Sequence, residues 1–398
     1  MTTTTNNEQK KLNVPNLRFK EFQGEWEKMR LDAFTERVMR KNKDNKSKLP
    51  LTISAQYGLV DQITFFNKVI ASTDMSNYYL LKKGEFAYNK SYSSDYPWGA
   101  IKRLDNYEQG ALSSLYICFT PLDNVESDFI LQYFESPKWH KGVSEIAVEG
   151  ARNHGLLNVS VQDFFHTYHY VPKDKKEQIK IANLLMLLDE RIATQSKIID
   201  KLQSLIKGIV DCTILRKEKN AIVGDVCSIS EQIRAEANID DIITVRLHGN
   251  GVYKSSAENL QLGATQYYRR RAGQLIYGKQ NFHNGAIGIV PISLDNGITS
   301  KDIPSFDIDE MKCNSVYLLA QLQSPQYYKP AEALTTGTGS KRLKEETFLK
   351  MPIVLPNKRE QDNIAVLIHR ASIKLDHAKR LLELLSIQKQ FLLRQMFI

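Results

Sequence analysis

The sequence PKDKKEQIKIANLL at residues 172–185 returns in altered form as PNKREQDNIAVLI at residues 356–368. Glu177-Gln178 corresponds to Glu360-Gln361, 183 positions later, and the same offset maps Ile181-Ala182 onto Ile364-Ala365. Self-similarity of this kind indicates a chain built from repeated structural units. Because each motif opens a long stretch with helical periodicity, the sequence predicts two tandem halves, each a globular domain followed by a long helix.

Weaker matches lie upstream and occur in the same order in both halves. The heptapeptide GEFAYNK at 84–90 resembles GQLIYGK at 273–279, and Gly99-Ala100-Ile101 resembles Gly285-Ala286-Ile287. Ser136-Pro137 resembles Ser324-Pro325, and Phe164 falls opposite Phe348. Each match alone could be chance, but their shared order favours an old duplication.

Both helical stretches carry apolar residues at alternating spacings of four and three, which is the pattern of a coiled-coil seam. The predicted seam residues are Ile181, Leu185, Leu188, Ile192, Ile199, Leu202 and Ile206 in the first stretch, and Ile364, Ile368, Leu375, Leu382 and Leu385 in the second. Gln195 and Lys389 interrupt the apolar pattern. A single amphipathic helix could simply pack on its own domain, but two copies in one register favour packing against each other. A two-fold relation between the halves would make the helices antiparallel.

The globular parts contain short apolar or alternating runs between Gly, Asn, Asp and Pro residues, with a few helical stretches between them. This pattern predicts a mixed α/β (α+β) fold class. The predicted parts are a flexible N-terminal tail at 1–13, a first globular domain at 14–172, a central long helix at 173–219, a second globular domain at 220–356 and a C-terminal long helix at 357–398.

The net charge of the 398-residue chain is +9, from 54 Lys and Arg against 45 Asp and Glu. A basic excess favours a polyanionic partner such as nucleic acid. Residues 173–219 hold 11 basic and 7 acidic residues, and residues 357–398 hold 8 and 4. Because the helices carry most of the excess, the globular parts are expected to bind nucleic acid through local patches.

The four cysteines are far apart, which predicts free thiols in a reducing compartment. The N-terminal residues contain no apolar core of a signal peptide, and no apolar run approaches the ~18 residues of a membrane span. The sequence therefore predicts a cytoplasmic protein.

No catalytic constellation is recognisable in the sequence. His166 and His169 have no third ligand nearby and are predicted to be core or surface histidines rather than a metal site. The run Gly337-Thr338-Gly339-Ser340-Lys341 resembles a phosphate loop, but Leu334 stands where the first glycine of that loop is needed. Motifs of methyltransferases and nucleases are also missing. The chain is therefore expected to have no metal, no cofactor and no active site of its own.

Basic residues interleaved with aromatic and amide side chains are typical of nucleic-acid interfaces, since cations neutralise phosphates and amides reach base edges. A solvated charged face or an ordinary Tyr-rich turn is the alternative for each segment. The Tyr-x-Lys element, present in both halves, favours DNA binding. The predicted DNA-binding residues are Arg37, Arg40, Lys41, Lys43, Tyr88, Asn89, Lys90, Tyr92, Arg152, Arg246, Arg269, Arg270, Arg271, Tyr277, Lys279, Gln280, Asn281, Lys341 and Arg342.

The segment PNLRFKEFQGEW at 15–26 resembles the start of the specificity (S) subunit of type I restriction-modification systems. The two motifs at 172–185 and 356–368 resemble the two conserved regions of that family. The resemblance implies that each globular part is a target recognition domain that reads one half of a bipartite double-stranded DNA sequence. It further implies that an antiparallel coiled coil sets the spacing and docks two modification (M) subunits.

The same resemblance implies a division of labour within a host-defence complex. The M subunits would carry S-adenosylmethionine and methylate adenine, and restriction (R) subunits would use ATP and Mg²⁺ for translocation and cleavage. Two other functions stay open on the residues alone: a cytosolic coiled-coil scaffold without DNA specificity, and a divergent DNA-modifying enzyme.

Overall fold

The computed structural model describes residues 12–68, 72, 74–147, 155–255, 265–337 and 341–398. The chain divides into two compact units, Met1–Thr194 with Leu382–Ile398, and Gln195–Leu381. The mixed α/β fold class predicted from the sequence is confirmed. Each unit contains a segment of both long helices, whereas the sequence placed these helices outside the globular domains. None of the helices in the described ranges combines the length and the apolar character that a membrane span requires.

The first unit is built around two four-stranded sheets. Its strands are β1 (Glu27–Arg30), β2 (Thr35–Arg37), β3 (Pro50–Ser54), β4 (Gly58–Asp61), β5 (Tyr79–Lys82), β6 (Phe86–Asn89), β7 (Ala100–Arg103), β8 (Gln109–Leu112), β9 (Ile117–Pro121) and β10 (Tyr168–Val171). Its helices are α1 (Gln62–Phe66), α2 (Ser127–Glu135), α3 (His140–Ile146), α4 (Val161–Phe165) and the first part of α5 (Lys175–Val210), with 3-10 turns at Leu31–Ala33 and Lys43–Asn45. The sheet orders are β2-β9-β6-β7 and β4-β3-β8-β5, and β1 pairs with β10.

Aromatic side chains fill the core of the first unit. Phe86 and Tyr88 lie two residues apart on β6 and therefore point to the same face of the sheet. Phe86 stacks on Phe119 with ring centroids 5.3 Å apart, and Tyr88 stacks on Phe164 at 4.8 Å. This face of the β2-β9-β6-β7 sheet is thus closed by packed rings.

The second unit repeats part of this arrangement. Its strands are β11 (Ala221–Ile222), β12 (Cys227–Ile229), β13 (Arg234–Ala235), β14 (Ile243–Val245), β15 (Val252–Lys254), β16 (Tyr267–Arg269), β17 (Leu275–Tyr277), β18 (Ile287–Ile289), β19 (Ile298–Ser300), β20 (Ser305–Ile308) and β21 (Pro352–Ile353). Its helices are α6 (Ser315–Leu322), α7 (Pro325–Tyr328), α8 (Glu345–Leu349) and α9 (Lys358–Gln395), whose last turns belong to the first unit. A π-helical turn follows α5 at Asp211–Leu215, and 3-10 turns occur at Val223–Asp225, Ile239–Asp241, Phe282–Asn284, Ile292–Leu294 and Lys329–Leu334.

The two units share one sheet and differ in the other. The order β12-β20-β17-β18 reproduces β2-β9-β6-β7, and the ribbon β11-β21 reproduces β1-β10. The remaining strands form β13-β16-β19 and β14-β15, which do not match the β4-β3-β8-β5 sheet. The duplication seen in the sequence therefore preserves the first sheet, while the second sheet has diverged.

The glutamines of the doubled Glu-Gln motif have the same contacts in both units. The Gln178 side chain donates to Pro172 O at 2.8 Å and accepts from Glu126 N, at the start of α2, at 2.7 Å. The Gln361 side chain donates to Pro356 O at 2.8 Å and accepts from Asn314 N, at the start of α6, at 2.9 Å. Each glutamine thus ties the beginning of a long helix to the beginning of a domain helix.

The helix segments within each unit run antiparallel. In the first unit, Ile181 and Leu185 share a core with Leu393 and Phe397, and Asp189 pairs with Lys389 at 2.5 Å. In the second unit, Val210 and Ile214 share a core with Ile364 and Ile368.

The predicted seam residues on both helices are buried or half-buried, with exposed residues between them. Gln195 donates to Ala378 O at 3.0 Å. Both polar interruptions of the seam, Gln195 and Lys389, thus have a partner on the opposing helix segment.

Candidate nucleic-acid interface

A basic loop at residues 37–48 of the first unit carries six exposed Lys and Arg side chains. Asn42 is buried and closes the loop, since its side chain accepts from Ser47 N at 2.8 Å and donates to Ser47 O at 2.9 Å. Asp44 and Asn45 adopt left-handed backbone angles, with φ of 57° and 49°, a region that Asp and Asn tolerate better than most residues. This local fold presents Arg37, Arg40, Lys41, Lys43, Lys46 and Lys48 at the surface.

Tyr79 brings two of the predicted cations together. The Lys41 ammonium lies 4.2 Å from the centroid of the Tyr79 ring and donates to Asn77 O at 2.9 Å. Arg37 Nη2 lies 3.5 Å from the Tyr79 hydroxyl. Arg40 differs, because it donates to both carboxylate oxygens of Glu85 at 2.6 and 2.7 Å. The loop therefore offers the positive charges of Arg37, Lys41 and Lys43, whereas Arg40 is neutralised.

The Tyr-x-Lys element has the same structure in both units, but its tyrosines face the core. Tyr88 donates to Trp98 O at 2.9 Å and Tyr277 donates to Leu343 O at 3.0 Å. Both side chains are fully buried, and burial raises the pKa of both phenols. The prediction that Tyr88 and Tyr277 contact DNA is wrong, because neither ring reaches the surface.

The lysines of the element hold the adjacent chain through their backbones. Lys90 O accepts from Leu157 N, and Lys279 O accepts from Leu343 N, both at 2.9 Å. The two side chains differ: Lys90 Nζ donates to Val159 O at 3.4 Å, whereas Lys279 Nζ forms an ion pair with Glu345 at 2.6 Å. The repeated element therefore fixes a loop in each unit, and within the described part of the chain an acid pairs with Lys279 but not with Lys90.

Two further residues follow this element in the first unit. The Asn89 side chain accepts from Ser91 N at 3.0 Å, and Tyr92 is half-buried and donates its backbone N–H to Gly155 O at 3.0 Å. These contacts order the loop after β6 without removing the Asn89 side chain from the surface.

The second unit gathers its predicted residues around the Gly278–Asn284 turn. Gln280 and Asn281 are exposed there, and Asn281 accepts from Asn284 at 3.2 Å. Arg342 pairs with Asp302 at 3.3 Å, and Asp302 O accepts from Lys279 N at 2.9 Å. Lys341 pairs with Glu332 at 3.0 Å. The turn, the Asp302 loop and the Arg342 segment therefore form one polar surface on which Lys279, Lys341 and Arg342 are each paired with an acid.

The remaining predicted arginines of the second unit have three different environments. Arg246 is exposed, with its guanidinium 4.0 Å from the Tyr253 ring centroid. Arg269 is exposed, and Arg271 lies 3.8 Å from Glu231. Arg270 is fully buried, so the prediction that it contacts DNA is wrong. Arg152 lies outside the described residues, as do Thr338, Gly339 and Ser340 of the Gly-rich run.

The histidine pair noted in the sequence does not form a ligand set. His169 is buried, with one ring nitrogen 2.8 Å from the Tyr133 hydroxyl and the other 2.7 Å from the Thr167 hydroxyl. Burial lowers its pKa to about 3, so the ring is neutral at physiological pH. Within the described ranges, no group of three His, Cys, Asp or Glu side chains could hold a metal ion.

Sequence reasoning missed the residues that organise these surfaces. Asn42 and Tyr79 shape the basic loop, and Asp302 connects the turn of the second unit to Arg342. A signal for Asn42 existed, because a single Asn inside a basic run is suited to close a turn with its side chain. No local pattern marks Tyr79 or Asp302.

These features define a tandem-repeat α/β protein with one candidate nucleic-acid surface in each unit. No protein-family model matches the sequence, and no curated protein matches it. A crystal structure of a type I restriction-modification S subunit from M. genitalium is similar, with a TM-score of 0.59 and 13% identity over 97% of this chain and 99% of that one. A structure reported for complex assembly and conformational transition of the type I restriction-modification system gives 0.51 and 14%, over 94% and 97%.

The chain has the fold of a type I S subunit along nearly its whole length. The family resemblance carried by residues 15–26 and by the two Glu-Gln motifs is thereby confirmed at the level of the fold.

Proposed function

We propose that this chain is the DNA-specificity subunit of a type I restriction-modification complex, in which each unit reads one half of a bipartite target. The observation that carries the proposal is the loop at the Tyr-x-Lys element, residues 88–90 and 277–279, which is repeated in both units. Both units hold the Tyr-x-Lys loop by the same backbone hydrogen bond. Beside it, Asn89 and Lys90 are half-buried in the first unit, and Gln280 and Asn281 are exposed in the second. The sheets that differ between the units would give each its own half-site, since base-edge contacts depend on loop residues.

Positive charge in the first unit supports phosphate binding. Arg37, Lys41 and Lys43 have no acidic partner among the described residues, so DNA phosphates can replace the counterions around them. In the second unit the predicted cations Arg271, Lys279, Lys341 and Arg342 are paired with acids. Arg246, Arg269 and the amides of Gln280 and Asn281 are the exposed groups that remain of the predicted set. A scaffold that binds only proteins would not require such loops, which disfavours that alternative.

Exposed apolar side chains on the long helices support docking of M subunits. In the first unit they include Leu184 and Leu187 on α5, with Leu384, Ile387 and Phe391 on α9. In the second unit they include Ile198 and Leu205 on α5, with Leu367, Ile373 and Leu381 on α9. These residues lie outside the seam, and an apolar helix face exposed beside a filled seam fits another helix. One M subunit would bind each unit.

The chemistry of the complex would reside in the partners. M subunits would bind S-adenosylmethionine and methylate adenine, and R subunits would use ATP and Mg²⁺ for cleavage in host defence. This chain would contribute no catalytic group and would act in the cytoplasm, where the DNA and the partners are.

Co-expression with the neighbouring modification gene, followed by long-read mapping of methylated adenines, tests the proposal. We expect a split motif with a fixed spacer, present only when both proteins are expressed. A host genome without such a motif, in cells where both proteins are soluble, would contradict it.

A further inference from the structure

Arg270 is the largest fully buried side chain of the chain's described part, with 0% of its surface exposed. Its Nε donates to the Thr299 hydroxyl at 2.8 Å, Nη1 to the Ser305 hydroxyl at 2.9 Å, and Nη2 to Ile303 O at 2.9 Å. A longer contact joins Nη1 to the Gln232 side-chain oxygen at 3.5 Å. All four acceptors are neutral, so among the described residues no carboxylate is hydrogen-bonded to the buried guanidinium.

A buried cation without an acid is costly, and hydrogen bonds to neutral groups offset only part of the desolvation. Burial accordingly lowers the pKa of Arg270 to about 10. The side chain is still charged near neutral pH. The buried guanidinium of Arg270 lowers the stability of the fold, yet four acceptors are arranged around it. We therefore expect Arg270 to have a role besides packing.

The first unit shows that the fold does not require an arginine at this place. Gly84 and Gly273 are equivalent turn glycines with the same φ of +86°. Leu81 lies three residues before the first glycine and Arg270 three residues before the second, and both side chains are fully buried. A leucine therefore fills the equivalent position in the first unit, and the arginine belongs to what is particular to the second.

Three acceptors of Arg270 lie on the 299–305 segment, which contacts the turn that carries the candidate DNA surface. Ile303 and Thr299 flank Asp302, and Thr299 also donates to Ile303 O at 3.0 Å. Asp302 accepts from Lys279 N through its backbone and pairs with Arg342 through its side chain. The chain of contacts thus leads from the buried guanidinium through the 299–305 segment to the Lys279–Asn281 turn and to Arg342.

We propose that Arg270 is a positioning residue for sequence recognition by the second unit, which fixes the 299–305 segment and thereby the loops that read its half-site. The inference rests on the proposed function. The proposal assigns different roles to two kinds of arginine. Arg270 would fix the conformation of the loops that contact the half-site, whereas exposed arginines would contact phosphate.

Arg270→Leu introduces the residue of the first unit, and Arg270→Lys keeps the charge but loses the planar fork that serves several acceptors. Each variant is assembled with the M subunits, checked for a cooperative unfolding transition, and analysed by methylation mapping and by DNA binding over a salt series. We expect both to relax discrimination in the half-site read by the second unit by about tenfold or more, since one good base contact is worth about 1–3 kcal/mol. The other half-site and the salt dependence should stay as in the wild type.

Arg269→Leu is the matched control, because Arg269 is the adjacent exposed arginine. It should weaken binding to all sequences alike and leave discrimination intact. Wild-type discrimination in both Arg270 variants, or equal relaxation in Arg269→Leu, would overturn the inference. If Arg270→Leu does not fold, Ser305→Ala removes a single acceptor of Arg270. This variant should relax discrimination in the same half-site, by a smaller factor. A wild-type complex without any split motif would instead refute the proposed function.

Discussion

Both units begin their long helix with Glu-Gln, yet the two glutamates are held in different ways. Glu177 is buried and accepts two hydrogen bonds from Arg18 at 2.7 Å and one from Trp26 Nε1 at 3.2 Å. Glu360 is half-exposed and forms an ion pair with Lys217. The glutamate of the same motif is therefore part of a buried contact with residues 18 and 26 in the first unit and of a surface ion pair in the second.

The difference follows from what precedes each domain along the chain. The first unit begins with the segment at 15–26, whose Leu17 N–H donates to Gln395 O at 2.9 Å and whose Trp26 packs on Phe397 with ring centroids 6.4 Å apart. This segment thus joins the start of α5 to the end of α9. In the second unit, the residues after the π-helical turn lead directly into β11, where Asn220 donates to Leu355 O at 3.0 Å. In the second unit, the Lys217–Glu360 ion pair connects the residues after α5 to the start of α9 without such a segment.

Of the changes considered, Glu177→Gln is expected to lower the stability of the protein most. The variant leaves the largely buried Arg18 without a countercharge, and breaking a buried pair in this way costs about 3–5 kcal/mol. The matched change Glu360→Gln removes an exposed pair and should cost less than about 1 kcal/mol. Denaturant unfolding of both variants measures the two values, and similar losses in both would contradict the account of the buried contact.

Among the described histidines only His169 is fully buried, and it gives the first unit a sensitivity to acid. The pKa of His169 is about 3 in the folded protein, against an ordinary value of 6.5. Below pH 6.5 the unfolded chain binds a proton that the folded protein excludes, so stability falls as the pH drops toward 3. The expected loss is about 2 kcal/mol at pH 5.

Unfolding free energies at pH 7 and pH 5 test this, with His169→Gln as the control that still forms hydrogen bonds but does not titrate. The control should lose less stability between the two pH values than the wild type. If His169→Gln loses as much stability between pH 7 and pH 5 as the wild type, other groups cause the acid sensitivity.

The units should also differ in how their exposed lysines respond to DNA and salt. Replacing Lys43, which has no acidic partner among the described residues, by Gln should lower the slope of log affinity against log salt by about 0.9. Lys341→Gln should leave the slope nearly unchanged, because Glu332 already holds that ammonium. Titrations of the assembled complex with duplex DNA at several salt concentrations measure both slopes. Equal changes would remove the proposed distinction between the two surfaces.

Much of the architecture could be predicted because it depends on periodic or repeated signals. The seam residues and the Glu-Gln motifs recur at one offset, and the order Gly84, Gly99, Phe164 recurs as Gly273, Gly285, Phe348. The burial of Tyr88 and Tyr277 was also accessible from the sequence. Each lies two residues after an apolar strand residue, Phe86 or Leu275, and therefore shares its face.

The environment of Arg270 could not be predicted in this way. Three consecutive arginines look alike in the sequence, and only one is buried, because Thr299, Ser305 and Ile303 approach it from distant parts of the chain. The acids that pair with Lys279, Lys341 and Arg342 could not be identified from the sequence either, because these pairs also depend on the folded structure. Long-range contacts of this kind decide which cations remain available to DNA, and charge counts do not contain them.

The central claim is that each unit reads its own half-site. Replacing the globular part of the first unit, residues 27–171, by the equivalent part of another chain with this fold tests it most directly when methylated adenines are mapped in cells that express the modification partner. We predict that one half of the split motif changes, while the other half and the spacer length stay the same. A change in both halves, or in neither, would contradict the account.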